Sequence, residues 1–209
     1  MLNKTATIVL SQVTIKDLPL IQGDIIAVDK GCELLLKKKQ KITYAVGDFD
    51  SLKPIFFKKL QQHKIPFETH PKEKDQSDAE LALKWAIQQG YASIRMIGFS
   101  GGRLDHYQAI IQMLFRFQHP GVELVTPTQS IHYLSKGTYQ LHQEKAEKYF
   151  SLFTLSNANI SIQNCLYPLT KKELSVKDTF TLSNEWVHCK TVILTVHTGE
   201  VLLYRSILA

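Results

Sequence analysis

Residues 24–50 read DIIAVDKGCELLLKKKQKITYAVGDFD and contain two strand patterns separated by one helical pattern. Residues 24–28 and 43–46 are apolar or β-branched, which favours strands. Residues 32–39 between them have the composition of a helix that ends in lysines, and lysines are favourable near a helix C-terminus. A strand, a helix and a strand in this order predict a parallel pair joined by a crossover helix.

The same alternation extends outward through the first 125 residues. Ser77, with Glu80 three residues later, forms the pattern of a helix-capping box, and Gly90 ends that helix. The alternation predicts an N-terminal α/β domain, residues 1–127, with a mostly parallel sheet flanked by helices. The further strand patterns are residues 5–10, 66–69, 93–97 and 122–125, and the further helical patterns are 54–63, 77–89 and 105–117.

Strand patterns alone occupy the second part of the chain. They lie at residues 131–133, 138–141, 148–155, 158–162, 179–182, 191–197 and 200–204. Thr198 and Gly199, between the last two, are typical of a hairpin turn. The pattern predicts an all-β C-terminal domain, a sandwich or barrel, over residues 128–209.

Composition indicates a globular cytoplasmic protein. The chain has 209 residues, of which 44% are hydrophobic and 21% charged. No apolar run approaches the roughly 18 residues of a membrane span, and residues 1–5 lead into a strand pattern without a signal core. The three cysteines are odd in number and include no CxxC pair, so we expect reduced thiols and neither a disulfide framework nor a zinc site.

The net charge of +6 is concentrated in the first part of the chain. Residues 1–120 contain 17 basic and 12 acidic residues, whereas residues 121–209 contain 8 and 7. The dense basic run at residues 37–41 is typical of a solvated helix end, and no nucleic-acid-binding module is present. We therefore expect no nucleic-acid partner, and a small polyanionic ligand accounts for the same excess.

Seven of the nine aspartates lie between Asp24 and Asp105, and most follow a predicted strand. The carboxyl ends of parallel strands meet at one edge of a sheet, where ligand sites form. Two carboxylates about 4 Å apart repel each other by roughly 4 kcal/mol at an effective dielectric near 20. A Mg²⁺ ion removes that repulsion. The aspartates that follow predicted strands are Asp29, Asp48, Asp50, Asp75, Asp78 and Asp105.

Each aspartate also has a simpler interpretation when it is taken singly. Asp78 and Asp105 lie in the first turns of predicted helices, where the helix dipole favours acids. Asp29 is also typical of a turn. Asp48 and Asp50, two residues apart in an extended segment, point the same way and can reach one metal ion. A shared metal site explains the whole set better than separate helix caps and turns.

Residues 98–106, GFSGGRLDH, join a predicted strand to a predicted helix. Gly101 and Gly102 free backbone N–H groups to approach an anion near a helix N-terminus. Arg103 supplies a guanidinium that grips phosphate oxygens bidentately. A tight turn with a surface arginine is the alternative. Beside a carboxylate-bound metal, this loop indicates metal-assisted phosphoryl transfer.

Four ordered blocks resemble the signature of the thiamin pyrophosphokinase family. They are GDFDS at 47–51, KDQSD at 74–78, GGRLDH at 101–106 and LSNE at 182–185. Residues 29–31 and 167–169 resemble two further family segments, so the resemblance extends from about residue 25 to residue 205. It implies Mg²⁺-dependent transfer of the diphosphoryl group of ATP to thiamin, which releases AMP. It also implies a homodimer whose active site lies in the cleft between subunits.

The resemblance also implies roles for individual residues. Asp48, Asp50 and Asp78 would bind Mg²⁺. The ATP phosphates would be held by Asp29, Lys74, Arg103 and the loop at Gly101 and Gly102. Asp105 would lie near the acceptor hydroxyl, while Ser183 and Asn184 would bind the pyrimidine of thiamin. The catalytic set would thus be Asp48, Asp50, Asp78, Arg103 and Asp105. This chain has Ile110 where the family commonly has asparagine.

Two further side chains have open roles. Trp186 follows the Ser-Asn pair and offers either a stacking face for thiamin or a core tryptophan. His106 either positions a phosphate or has a structural role at the helix start.

Two other functions use the same residues. A Mg²⁺-dependent nucleotide or pyrophosphate hydrolase would use the same acidic residues and phosphate loop with water as the acceptor. A non-catalytic nucleotide or thiamin sensor would keep the fold without turnover. The Ser183-Asn184 block favours the kinase over the hydrolase, since a hydrolase needs no second organic pocket. The complete set of aspartates argues against a sensor.

Overall fold

The computed structural model describes residues 4–69, 75–144, 147–187 and 191–207, and the chain divides into two compact units. The first unit comprises Met1–Met113 and Gly121–Pro127. The second comprises Leu114–Pro120 and Thr128–Ala209. Each unit has its own cluster of buried apolar side chains.

The first unit contains a sheet whose described strands pair in parallel throughout. Its order is β6-β5-β1-β2-β3-β4. The chain builds the sheet outward from β1 to β4 and then returns to the other side of β1, so the strand order reverses between β1 and β5. Such a reversal opens a crevice at the carboxyl ends of the strands. The strands are β1 Thr5–Val9, β2 Asp24–Val28, β3 Tyr44–Gly47, β4 Phe67–Thr69, β5 Ser93–Ile97 and β6 Val122–Val125.

Helices connect these strands and confirm the predicted α/β architecture. They are α1 Gly31–Lys37, α2 Pro54–Gln62, α3 Asp78–Gln88 and α4 Leu104–Phe117. Ser77 begins α3 as predicted, because its hydroxyl accepts a hydrogen bond from the Glu80 backbone N–H at 3.2 Å. A short 3-10 helix, Ile15–Leu20, was not predicted. Among the described residues, no helix combines the length and apolar character needed to cross a membrane.

The second unit is a sandwich of two antiparallel sheets, as predicted. One sheet has the order β12-β9-β14-β7 and the other β11-β10-β13-β8. Apolar side chains of both sheets form one core cluster, with Phe150, Leu152 and Leu194 almost fully buried. The strands are β7 Gln129–Leu134, β8 Gly137–Leu141, β9 Glu147–Phe153, β10 Ala158–Gln163, β11 Leu169–Leu174, β12 Asn184–Glu185, β13 Val192–Thr198 and β14 Val201–Ile207.

Two predictions for the second unit are wrong, and one strand of six residues was not predicted. Residues 179–182 form a turn rather than a strand. Leu169–Leu174 is a strand that was not predicted, because its exposed central residues at this sheet edge show no apolar alternation. Thr198 and Gly199 do not form a hairpin, since β13 pairs with β10 and β8 whereas β14 pairs with β7 and β9. The turn carries the chain from one sheet to the other.

Candidate active site

A cleft of about 830 Å³ lies at the carboxyl edge of the first sheet. Its walls come from the segments that follow β1, β2, β3 and β5 and from the first turns of α3 and α4. The convergence of side chains that the sequence predicted is therefore found at one edge of the sheet. The predicted site residues that line the cleft are Asp29, Asp48, Asp50, Asp78, Gly102, Arg103 and Asp105.

Asp29 joins two of the turns that form the cleft. Its backbone is left-handed, with φ of +43°. Its N–H donates to the Val46 carbonyl at 3.1 Å, and its Oδ1 accepts from the Phe49 N–H at 3.3 Å. Gly47 makes this contact possible, because a Cβ at that position would lie 1.8 Å from Asp29 Oδ1. Asp29 thus fixes the turn that carries Asp48.

The carboxyl group of Asp29 lies near the carboxyl groups of Asp78 and Asp48. Burial, followed by the charge of Asp78, raises the pKa of Asp29 from 3.8 to about 7, and Asp48 adds to the rise. Asp29 and Asp78 also share a hydrogen bond. Asp48 Oδ1 accepts the Asp50 N–H at 3.0 Å, which shapes the turn between these two residues.

The donor chemistry of this cluster fits a hard cation. Among the described residues, no three His, Cys, Asp or Glu side chains form a ready-made metal cage. Mg²⁺ does not require one, because it is usually held by one or two carboxylates together with substrate phosphates and water. The raised pKa of Asp29 marks where a positive charge would relieve repulsion between carboxylates.

The glycine-arginine loop forms the opposite wall of the cleft. Gly98 and Gly101 have φ of +72° and +91°, a region in which other residues are strained. A Cβ at Gly102 would lie 2.7 Å from the Gln12 side chain, so the absence of a side chain lets the loop approach the segment after β1. The loop leads into α4, which begins at Leu104. This is the strand-loop-helix arrangement in which backbone N–H groups bind anions.

Arg103 and Asp105 form a bidentate ion pair at the mouth of the cleft. Arg103 Nε lies 3.1 Å from Asp105 Oδ1, and its Nη2 lies 2.5 Å from Oδ2. The side chains are 71% and 62% exposed. This pairing lowers the pKa of Asp105 to about 2 and raises that of Arg103. The two groups neutralise each other here, and an entering phosphate would compete with Asp105 for the guanidinium.

Sequence reasoning missed Ser11 and Gln12, which line the cleft after β1. The Gln12 N–H donates to the Gly98 carbonyl at 3.0 Å, which holds this segment beside the glycine loop. The segment has no glycine, aspartate or basic residue to mark it. Its only signal is its position at the end of β1, next to the point where the strand order reverses.

The predicted thiamin-binding residues lie in the second unit. Asn184 is buried, and its amide bonds both backbone groups of Tyr167, at 2.8 and 3.1 Å, and accepts the Glu185 N–H at 2.9 Å. Ser183 is exposed, with φ of +56°, and its N–H donates to Ser151 Oγ at 2.9 Å. Asn184 therefore joins β12 to the loop that contains Tyr167, and Ser183 is the residue of the pair that is exposed to solvent.

Trp186 lies in the core of the second unit. Its ring centroid is 5.0 Å from that of Phe150, and the guanidinium carbon of Arg205 lies 5.4 Å from its ring. This burial favours the core role over the stacking role. Lys74, the other predicted phosphate-binding residue, lies outside the described residues.

Comparisons with known proteins identify the family. Residues 22–126 match the thiamin pyrophosphokinase catalytic domain, and residues 138–201 match the thiamin pyrophosphokinase vitamin B1 binding domain. The chain belongs to the thiamin pyrophosphokinase family. The resemblance seen in the sequence is confirmed, and the family identifies an enzyme with thiamine diphosphokinase activity. The catalytic match includes every predicted cleft residue, and the vitamin B1 binding match includes Ser183 and Asn184.

Individual thiamin pyrophosphokinases support the same assignment. Thiamine pyrophosphokinase of Bacillus subtilis (strain 168) is 28% identical over 185 residues, which cover 87% of this chain and 86% of that protein. The crystal structure of thiamin pyrophosphokinase from Geobacillus thermodenitrificans superposes with a TM-score of 0.87 at 28% identity, over 98% of both chains. The yeast enzyme shares the fold at 14% identity, with a TM-score of 0.81 over 100% of this chain and 87% of that one.

Proposed function

We propose that the cleft performs Mg²⁺-dependent transfer of the diphosphoryl group of ATP to thiamin. The hydroxyethyl oxygen of thiamin attacks the β-phosphorus, and the bond from that phosphorus to the oxygen bridging it to the α-phosphorus breaks. AMP leaves, thiamin diphosphate forms and the hydroxyl proton passes to a base. The observation that carries this proposal is the meeting of Asp29, Asp48 and Asp78 with the Arg103 loop at one edge of the sheet.

Asp48, Asp50 and Asp78 are the proposed Mg²⁺ ligands. Bound there, Mg²⁺ would neutralise charge on the triphosphate. Asp29 accepts a hydrogen bond from the Phe49 N–H, which holds the turn that carries Asp48. Its side chain also contacts that of Asp78. We assign Asp29 the role of organising the metal and phosphate region, together with Lys74.

The ion pair between Arg103 and Asp105 gives the phosphate loop two states. Without substrate, the guanidinium is engaged by Asp105. A phosphate that takes over the guanidinium releases the carboxylate, which is then available to orient the acceptor hydroxyl or accept its proton. In-line displacement depends mainly on positioning and charge neutralisation, and both groups supply these.

For the second unit, we propose that the exposed Ser183 hydroxyl binds the pyrimidine of thiamin. Asn184 contributes to the same pocket, and its amide also holds the backbone of Tyr167 in place. The match of residues 138–201 to the vitamin B1 binding domain supports this assignment.

We further propose a cytoplasmic homodimer with its active site between subunits. The need for ATP and the free thiols of Cys32 and Cys165 support the location. The dimer follows from the family resemblance.

Product analysis tests the reaction. The protein is incubated with ATP and Mg²⁺, with and without thiamin, and the nucleotides are separated by chromatography. AMP that forms only when thiamin is present supports the proposal. ADP or phosphate that forms without thiamin indicates a hydrolase, and binding without turnover indicates a sensor.

Two variants test the residue roles. Asp50→Asn should lower turnover by several orders of magnitude and leave the fold intact, whereas the control Asp178→Asn, in a turn of the second unit, should retain activity. Ser183→Ala should raise the KM for thiamin far more than the KM for ATP. An equal effect on both Michaelis constants would contradict the acceptor-pocket assignment.

A further inference from the structure

A second cavity, of about 980 Å³, lies at the amino edge of the first sheet, at the opposite ends of the strands from the catalytic cleft. Its walls come from the segments that precede β3 and β4 and from the C-terminal ends of α1 and α2. We call it the lysine pocket, because Lys37, Lys39, Lys41, Lys59 and Lys64 line it.

The lysine pocket has an excess of positive charge. Asp24 is its one acidic lining residue among those described, and its carboxylate accepts from the Tyr91 hydroxyl at 2.7 Å and the Thr43 hydroxyl at 3.2 Å. Glu33, outside the lining, pairs with Lys37 at 3.4 Å. The C-termini of α1 and α2 contribute about half a negative charge each. The five lysines carry +5, and Asp24, Glu33 and the two helix C-termini together carry about −3, so the net charge of the pocket is about +2.

Two of the lysines occupy backbone positions where glycine is the usual residue. Lys39 and Lys64 have φ of +53° and +51°. After α1, the Gln40 N–H donates to the Leu35 carbonyl at 2.9 Å, and after α2 the Ile65 N–H donates to the Leu60 carbonyl at 3.1 Å. These are Schellman helix ends with lysine at the left-handed position, where a side chain costs roughly 1–2 kcal/mol. Both strained lysines border the same cavity.

The floor of the pocket is apolar. Ile42 and Phe56 are buried, and Ile65 and Pro66 complete the surface. Lys37 Nζ lies 5.1 Å and Lys59 Nζ 5.5 Å from the centroid of the Phe56 ring, which holds both ammonium groups at the wall. The pocket thus offers ammonium groups at its rim and an apolar surface beneath them.

We propose that the lysine pocket is a second binding site, separate from the catalytic cleft, for a small organic di- or triphosphate. The phosphates contact Lys39, Lys41 and Lys64, and the apolar part of the ligand lies on Ile42 and Ile65. Backbone strain at two lysines has a functional explanation in this arrangement, because glycine would relieve the strain and remove the charge.

Equilibrium dialysis of the full chain with labelled ADP measures the number of sites. We expect two equivalents of bound ADP. Lys39→Gly/Lys64→Gly should weaken one of them at least tenfold and raise the denaturant midpoint of unfolding, because glycine suits both helix ends. Lys16→Gln/Lys136→Gln, which removes the same charge from exposed positions elsewhere, should leave both equivalents unchanged.

Arg103→Ala separates the two sites. It should weaken the cleft equivalent and leave the other intact. A single equivalent that Arg103→Ala abolishes and Lys39→Gly/Lys64→Gly leaves unchanged would overturn the proposal. Inorganic tripolyphosphate should displace ADP from the pocket only at concentrations at least tenfold higher, and equal potency would refute the apolar contact. These experiments measure ADP binding and not AMP formation. The proposed catalytic function and the proposed second binding site can therefore be refuted separately.

Discussion

Replacing Gly47 by alanine tests the geometry that joins the turns after β2 and β3. The new Cβ would lie 1.8 Å from Asp29 Oδ1, so the carboxyl group must leave its place. Its hydrogen bond from the Phe49 N–H is then lost, which costs about 1.5–3 kcal/mol at pH 8, where Asp29 is charged. Alanine at φ of +154° adds strain, of order 1–3 kcal/mol. We expect a total destabilisation of about 2.5–6 kcal/mol.

Gly90→Ala provides the matched control. Gly90 follows α3 with φ of +75°, and a Cβ there would meet no atom within 4 Å. Alanine at this position therefore adds backbone strain alone, about 1–2 kcal/mol. The difference between the two variants isolates the displacement of Asp29.

Urea unfolding followed by circular dichroism gives both free energies, and AMP formation from ATP and thiamin gives activity. We expect Gly47→Ala to lose most of its turnover, because the turn with Asp48 and Asp50 shifts, and Gly90→Ala to retain it. Equal destabilisation by the two substitutions, or full activity in Gly47→Ala, would refute the role given to Asp29.

Three further predictions follow from individual side chains. Burial, together with the charge of Asp29, raises the pKa of the Cys32 thiol to about 12. Cys32 should therefore resist alkylation at pH 8 in the native protein and react once the protein is unfolded in urea. Mass spectrometry of the labelled peptide measures both. The pKa of Asp29 is raised to about 7 in the folded state, so the contribution of Asp29 to the stability of the metal-free protein should be full below about pH 4 and be lost as the pH rises through about 7. Asp29→Asn should remove this contribution from the pH dependence of the urea midpoint, and added Mg²⁺ should restore stability at pH 8. Asn184→Ala leaves both backbone groups of Tyr167 without their side-chain partner and should lower the free energy of unfolding by about 2–4 kcal/mol. The control Ser183→Ala should lower it by less than about 0.5 kcal/mol in the same urea titration. Similar losses in the two variants would show that the Asn184 amide does not hold the Tyr167 backbone in place.

The sequence was sufficient for the architecture of the first unit, because strand and helix periodicities differ and each helix has clear ends. The carboxyl edge also followed from sequence, since parallel strands place their last residues together and aspartates follow several of them. The positions of Asp29, Asp48 and Asp78 at one cleft agree with that reasoning.

The remainder depends on long-range pairing that local patterns do not encode. Thr198 and Gly199 are as suitable for a turn between sheets as for a hairpin, and the partners of β13 and β14 decide between them. The engagement of Asn184 by Tyr167 joins residues far apart in sequence. The left-handed backbone conformation of Lys39 and Lys64 could not be predicted from the sequence either, because glycine is the residue that normally indicates that conformation and lysine is not.

The position of β14 has a consequence for biosynthesis. This strand lies between β9 and β7, so the interior of its sheet is supplied by residues 201–207, which leave the ribosome after every other strand of the unit. Until then, β7 and β9 expose unpaired edges that invite contact with other nascent chains. Premature termination ahead of residue 201 should therefore yield aggregates that chaperones or proteases must clear, while the nucleotide-binding half has already been completely translated.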